Sequence, residues 1–342
     1  MRKIVIILIF GILFLISSCK QEKKEKGGKQ LTLIEKLENL PDSIKVNNIV
    51  VKNLFKSQIL AHNGTHYDSL MIIKKVYEPH KQLWDSCYAI VYGEENASKF
   101  NSPKGMIEWN KTLYPENKKF FDKRANELLE INLDSVLSKN LAKFNRLVPY
   151  KPSAIISILF TPFQGIGFGG CNSEQFSLEL NYTDIDVKYM IEKGLPHELN
   201  HMVYEPFREK DPNSNTALAQ TIDEGFACYF TWVFFDRLIP KYEAVENMSN
   251  QDWEWYIKHE KELFTKLKPY FYDESGDNPL LRNDKYKLFP NAPKGLNYWL
   301  GFRIIESYVS TYGKNSWKDI YEMNIQEVLH KSGYEKYING LK

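Results

Sequence analysis

Residues 195–204 read Leu195-Pro196-His197-Glu198-Leu199-Asn200-His201-Met202-Val203-Tyr204. The two histidines are four residues apart, so on a helix their imidazoles project from one face and can hold one ion. Glu198 follows the first histidine and points toward the open side of such an ion, where a carboxylate can act as general base. Leu195, Leu199, Met202 and Val203 provide apolar cover on the other faces. Pro196 is awkward inside a helix, where it removes a backbone bond and crowds the preceding turn. The helix is therefore expected to begin at Pro196 or to kink there, and to end at Pro206.

A catalytic zinc site usually has three protein ligands and one open position. Glu224, in the stretch Thr221-Ile222-Asp223-Glu224-Gly225-Phe226-Ala227, is the candidate third ligand. It comes 23 residues after His201, room for a loop and a return helix. Glu205 is the rival, because it continues the four-residue line from His201, but one more turn along the same helix reaches the ion poorly. Asp223 can orient a ligand histidine, although a helix N-terminal acid is the plainer reading. For an oxyanion donor the candidates are Tyr298 and Arg303, for which a core tyrosine and a surface ion pair are the alternatives.

Working outward, residues 154–160 form a β-branched run that predicts a buried strand, and residues 176–180 alternate as a second. The glycine-rich stretch 161–172 between them is expected to be a loop joining a two-strand unit. Its Gly165, Gly167 and Gly170 match G-x-G-x-x-G formally. A dinucleotide fingerprint needs a helix at the third glycine, and a strand pattern follows instead, so no nucleotide is expected. Helical periodicity marks residues 31–40, 107–113 and 127–147, then 187–204, 217–238, 252–267 and 296–312, with a short pair at 317–323 and 325–329. His62 and His66 flank an Asn-Gly turn and read as surface histidines. The fold class expected is α+β, mainly helical, with a small sheet beside the metal helix. A helical region over 31–150 precedes a metallohydrolase domain over 151–342.

The N-terminus bears on compartment. Met1-Arg2-Lys3 precedes an apolar run over residues 4–16, then Ser17-Ser18-Cys19. A charged start, a short apolar run and small residues before a cut read as a secretory signal over 1–18. The pattern resembles the bacterial lipoprotein signal, which implies that Cys19 is acylated and anchors the chain to a membrane. An uncleaved N-terminal anchor is the alternative, and both place the rest outside the cytoplasm. Residues 19–30 are charged and Gly-rich and read as a flexible tether; its last eleven residues span about 18 Å as a coil. The expected location is the cell envelope, at the outer membrane, periplasmic or surface-facing. A net charge of +2, with Lys and Arg interspersed among Asp and Glu, gives no footprint for nucleic acid. Cys87, Cys171 and Cys228 allow one disulfide and one free thiol, or three free thiols.

The paired motifs resemble the gluzincin type of metallopeptidase. They are more closely similar to a family of predicted zinc-dependent proteases in which E-G-[FL]-A follows the first motif, with gliding-motility-associated lipoproteins of Bacteroidota among its relatives. The residues that carry the resemblance are the 155–160 strand, His197 to His201, Glu224 to Ala227 and Tyr298-Trp299-Leu300-Gly301-Phe302-Arg303. The resemblance spans roughly residues 151–334. It implies a zincin-like domain, one Zn2+ per chain held by His197, His201 and Glu224, and hydrolysis of protein or peptide bonds with Glu198 as general base. It brings no substrate. The alternative function is a non-catalytic envelope component with a structural or absent metal.

Overall fold

The computed structural model describes residues 31–163, 167–183 and 185–341. The signal, Cys19, the tether and Gly165 lie outside the described residues. Five strands form one sheet: β1 (Ser43–Val46), β2 (Ile49–Asn53), β3 (Ala154–Leu159), β4 (Phe168–Asn172) and β5 (Gln175–Glu179). Their spatial order is β1-β2-β3-β5-β4. The centre is parallel, β2 with β3 and β3 with β5, while β1 and β4 are antiparallel edges. Both faces of the centre are covered: β3 is an apolar run buried at all but Ile155, and β5 is buried at every position although its sequence alternates, with Gln175, Ser177 and Glu179 buried beside Phe176 and Leu178.

Two expectations are corrected here. The stretch 161–172 is not only a loop, since its end is the edge strand β4. The strands read as a joined pair, β3 and β5, are parallel neighbours, and the hairpin is β4–β5. Asn172 Oδ1 closes that hairpin by accepting from the Glu174 and Gln175 amides at 2.9 and 3.0 Å. The helical N-terminal region also contributes β1 and β2, so the sheet draws strands from both sides of residue 150. No helix opens at Gly170, which lies within β4.

Helices make up most of the rest, and the fold is α+β and mainly helical, as expected. The principal ones are α1 (Pro103–Leu129), α2 (Leu133–Leu147), α3 (Leu195–Arg208), α4 (Ala217–Phe234), α5 (Asn250–Leu267) and α6 (Leu296–Tyr312). The periodic stretch 127–147 is broken between α1 and α2, where the Asn132 side chain caps α2 by accepting from the Ser135 amide at 2.9 Å. Helix α4 stops at Phe234 because Asp236 and Arg237 take left-handed backbone angles. No helix among the described residues is long and apolar enough to cross a membrane.

Cys87 and Cys171 are disulfide-bonded, with Cα atoms 5.6 Å apart, and Cys228 is a buried free thiol. The bond ties the helical N-terminal region to β4 across 84 residues of sequence. His62 is not a surface histidine: its ring stacks on Tyr67 and its Nε2 meets the Asn110 carbonyl at 3.0 Å.

Candidate metal centre

Helix α3 is entered through a wide turn, Met190–Gly194, and begins at Leu195. The chain is already helical from Val187, so Pro196 stands where the wide turn passes into α3, and the widened turn takes up its missing amide hydrogen. Pro206 sits in the last turn and the helix runs two residues past it, so it does not end the helix. All ten residues from Leu195 to Tyr204 are buried. The imidazoles of His197 and His201 consequently face protein, and they face α4, whose start is capped by Thr216 accepting from the Ala219 amide at 3.2 Å.

Three donor atoms converge there. His197 Nε2 and His201 Nε2 are 3.0 Å apart, and Glu224 Oε2 lies 3.2 Å from each. A tetrahedral zinc with bonds of 2.0–2.1 Å has ligand atoms about 3.3 Å apart, so the triangle is one face of such a tetrahedron. The donor set, two imidazoles and a carboxylate with the fourth direction open, fits zinc in composition as well as in spacing. Glu205 does not join this triangle; it groups with His201 and Asp223 on the other side of the His201 ring.

The charge pattern also suits a cation. Burial pulls the His197 and His201 imidazoles toward lower pKa, but Glu224 at His197, and Asp223 with Glu224 at His201, reverse it and hold both above the ordinary value. Burial alone would raise the Glu224 carboxyl; the two histidines hold it far below the ordinary carboxylate value. His201 Nδ1 meets Asp223 Oδ1 at 2.9 Å, and Asp223 Oδ2 meets Arg208 at 3.2 Å. This fixes the tautomer that leaves Nε2 free for an ion. Asp223 stands where an orienting residue belongs.

Glu198 is 5% exposed, and its Oε2 has no hydrogen-bond partner among the described residues. Burial pushes its pKa up to about 8, against the opposing pull of the two histidines. With His197 it lines a cavity of about 80 Å³. A larger cleft of about 670 Å³ is lined by Glu224, Tyr298 and the β4 residues Gly170, Cys171 and Asn172.

Tyr298 is brought to the cluster and Arg303 is not. The Tyr298 ring lies 6.3 Å from that of His197, and the negative charge of Glu224, with burial, keeps its hydroxyl protonated as a donor. Arg303 comes five residues later, about 140° around the helix. Its guanidinium binds Glu260 at 2.7 Å, and Glu306. Helix arithmetic on the sequence alone separates the two faces.

The close approach of α4 and α6 rests on two glycines. A Cβ on Gly225 would stand 2.1 Å from the Gly301 carbonyl carbon, and a Cβ on Gly301 would stand 1.9 Å from the Thr221 carbonyl oxygen. Backbone meets backbone here, which sets Glu224 beside Tyr298. The sequence reading missed this role for Gly225 and Gly301. It also missed Cys228, whose Sγ is 3.8 Å from His197 Nδ1, and Glu246, which groups with both. Nothing in their local pattern signals either residue.

Residues 162–330 match the model of a family described as Predicted Zn-dependent protease (DUF2268). The match includes every residue of the His197–His201–Glu224 triangle, with Glu198 and Tyr298. The similarity is thus to a class of zinc-dependent proteases, and it falls on the part of the chain that builds the centre. Comparisons with curated proteins and with solved structures give no match.

Proposed function

We propose that this chain is a zinc metallopeptidase of the cell envelope, anchored through lipid on Cys19, that hydrolyses protein or peptide bonds. The observation that carries the reading is a three-donor triangle with a buried carboxylate, Glu198, beside it, whose Oε2 has no partner among the described residues. His197, His201 and Glu224 would hold one Zn2+ per chain. When bound, the ion polarises a substrate carbonyl and makes water more acidic, toward pKa about 7.

The chain's own residues supply the rest. Glu198 takes the proton of the attacking water on its free oxygen and returns it to the departing amine. The Tyr298 hydroxyl donates to the oxygen of the tetrahedral intermediate. Asp223 keeps His201 oriented, with Arg208 holding Asp223 in turn. Strand β4 has one strand neighbour, β5, so its outer edge can pair with an extended peptide lying in the larger cleft. A location outside the cytoplasm is supported by the Cys87–Cys171 disulfide, a bond typical of oxidising compartments. The gliding-motility resemblance is part of the same proposal.

The test begins with the metal content of protein starting at Leu31, beside His201→Ala. One zinc per chain, lost in the variant, supports the centre. Cleavage of a peptide library by the parent and not by Glu198→Gln, with zinc retained in both, supports the chemistry. Retained zinc with no dependence of cleavage on Glu198 would end the peptidase reading in favour of an assembly role.

A further inference from the structure

The cavity beside Glu198 has selective walls. Phe168, Ile185, Met190, Ile239 and Ala244 provide its apolar lining. Some of its polar neighbours are already engaged, while Glu246, which also lines it, adds a carboxylate to that of Glu198. Lys193 Nζ is 3.1 Å from Glu243 and 4.1 Å above the Phe235 ring. Thr231 Oγ1 donates to the Ala227 carbonyl at 2.9 Å, and the Tyr189 hydroxyl to the Glu243 carbonyl at 3.4 Å. The Lys193 cation is thus already neutralised, whereas Glu198, whose buried Oε2 has no partner among the described residues, lines the same cavity. A side chain entering here finds apolar contact and lies against the general base.

Size decides which side chains can enter. An apolar protein cavity of about 150 Å³ holds benzene. The volume here, about 80 Å³, is roughly half of that, room for about three carbon atoms. A valine side chain fits and leucine is at the limit; phenylalanine, tyrosine, tryptophan and arginine exceed it.

We propose that this cavity is the side-chain pocket of the site, restricting cleavage to bonds flanked by a small aliphatic residue, with Ile239 and Met190 setting the size limit. The proposal rests on the peptidase reading and gives it a substrate class. Ile239 is a specificity residue here: its side chain forms wall, and its backbone carbonyl accepts from Trp232 Nε1 at 3.0 Å whatever side chain it carries.

The test uses peptidyl hydroxamates whose neighbouring side chain is methyl, isobutyl, benzyl or aminobutyl. Binding to the zinc-loaded protein, parent and Ile239→Ala, is read by titration calorimetry, which needs no turnover. The parent is expected to bind the isobutyl compound at least tenfold more tightly than the benzyl or aminobutyl compounds. Ile239→Ala is expected to raise benzyl affinity at least tenfold, with its fold confirmed by an unchanged zinc stoichiometry. Equal binding of all four, preference for benzyl or aminobutyl, or an unchanged order in a folded Ile239→Ala would overturn the pocket. Each of those leaves the peptidase reading standing if peptides are still cleaved. Absence of zinc from the parent would remove both, and the metal content shows that separately.

Discussion

Replacing Gly225 by alanine should damage the metal centre from behind. The new Cβ would lie 2.1, 2.2 and 2.3 Å from three backbone atoms of Gly301 and Phe302, none of which can turn aside. Restoring ordinary contact at 3.4 Å requires α4 and α6 to part locally by about 1.3 Å. Overpacking costs about 1–3 kcal/mol, and rigid backbone on both sides puts this case at the upper end. Alanine returns about 1 kcal/mol through helix propensity. The net loss is about 2 kcal/mol, or a fall in Tm of roughly 3 °C for a folded body of this size. Glu224 precedes Gly225 in α4, and Tyr298 lies one turn before Gly301, so the same displacement moves the proposed third ligand and the proposed oxyanion donor. Misplacement by about 1 Å typically costs a site one to two orders of magnitude. Thermal unfolding of the metal-free protein and zinc competition against a chromophoric chelator measure the two effects independently. Gly276→Ala is the control, because no atom lies within 4 Å of its Cβ position. A Gly225→Ala protein with the parent's Tm and zinc affinity would refute the helix-contact argument.

Three further outcomes are expected. Asp223→Asn should weaken zinc binding about 10–100-fold with little change in fold, as seen by chelator competition and circular dichroism, because the His201 tautomer loses its anchor. Arg303→Ala should leave zinc affinity unchanged but cost about 3 kcal/mol in denaturant unfolding, since it leaves the buried Glu260 carboxylate without its cation, held only by the Tyr334 and Tyr337 hydroxyls. His80 carries a pH effect on stability: burial, with Lys52 adding to it, lowers its pKa from 6.5 to about 4. The unfolded chain then binds the extra proton between those values, so the contribution is complete above pH 6.5 and is lost as pH falls toward 4. It amounts to at most about 3 kcal/mol. His80→Gln should flatten that part of the stability profile, and an identical profile would count against the burial argument.

The metal helix was legible because its information is local. Two histidines four residues apart share a helix face wherever the helix sits, and the base between them follows from the same geometry. Glu224 was legible one step further out, from a second helix at a workable loop distance, whereas Tyr298 and Arg303 stood as equal candidates until the structure put the first beside His197 and the second on Glu260. The long amphipathic helices α5 and α6 could be read for the same reason.

The sheet shows the opposite case. Residues 43–53 are too short and too mixed in pattern to stand out as strands, and they become strands by pairing with residues 154–158, about a hundred positions away. Strand β4 is hidden by its glycines, which read as a loop until β5 lies alongside. The Cys87–Cys171 pairing and the contact of Gly225 with Gly301 likewise depend on which distant segments meet. By itself, then, the sequence determined the chemistry of the donors and the helix that carries two of them, since side-chain type and helical period are properties of neighbours along the chain. Only the tertiary structure decided that Glu224 closes the triangle, that Tyr298 rather than Arg303 faces it, and that Glu198 shares its cavity with a small apolar pocket. Those outcomes rest on packing between elements far apart in sequence, which no local pattern encodes.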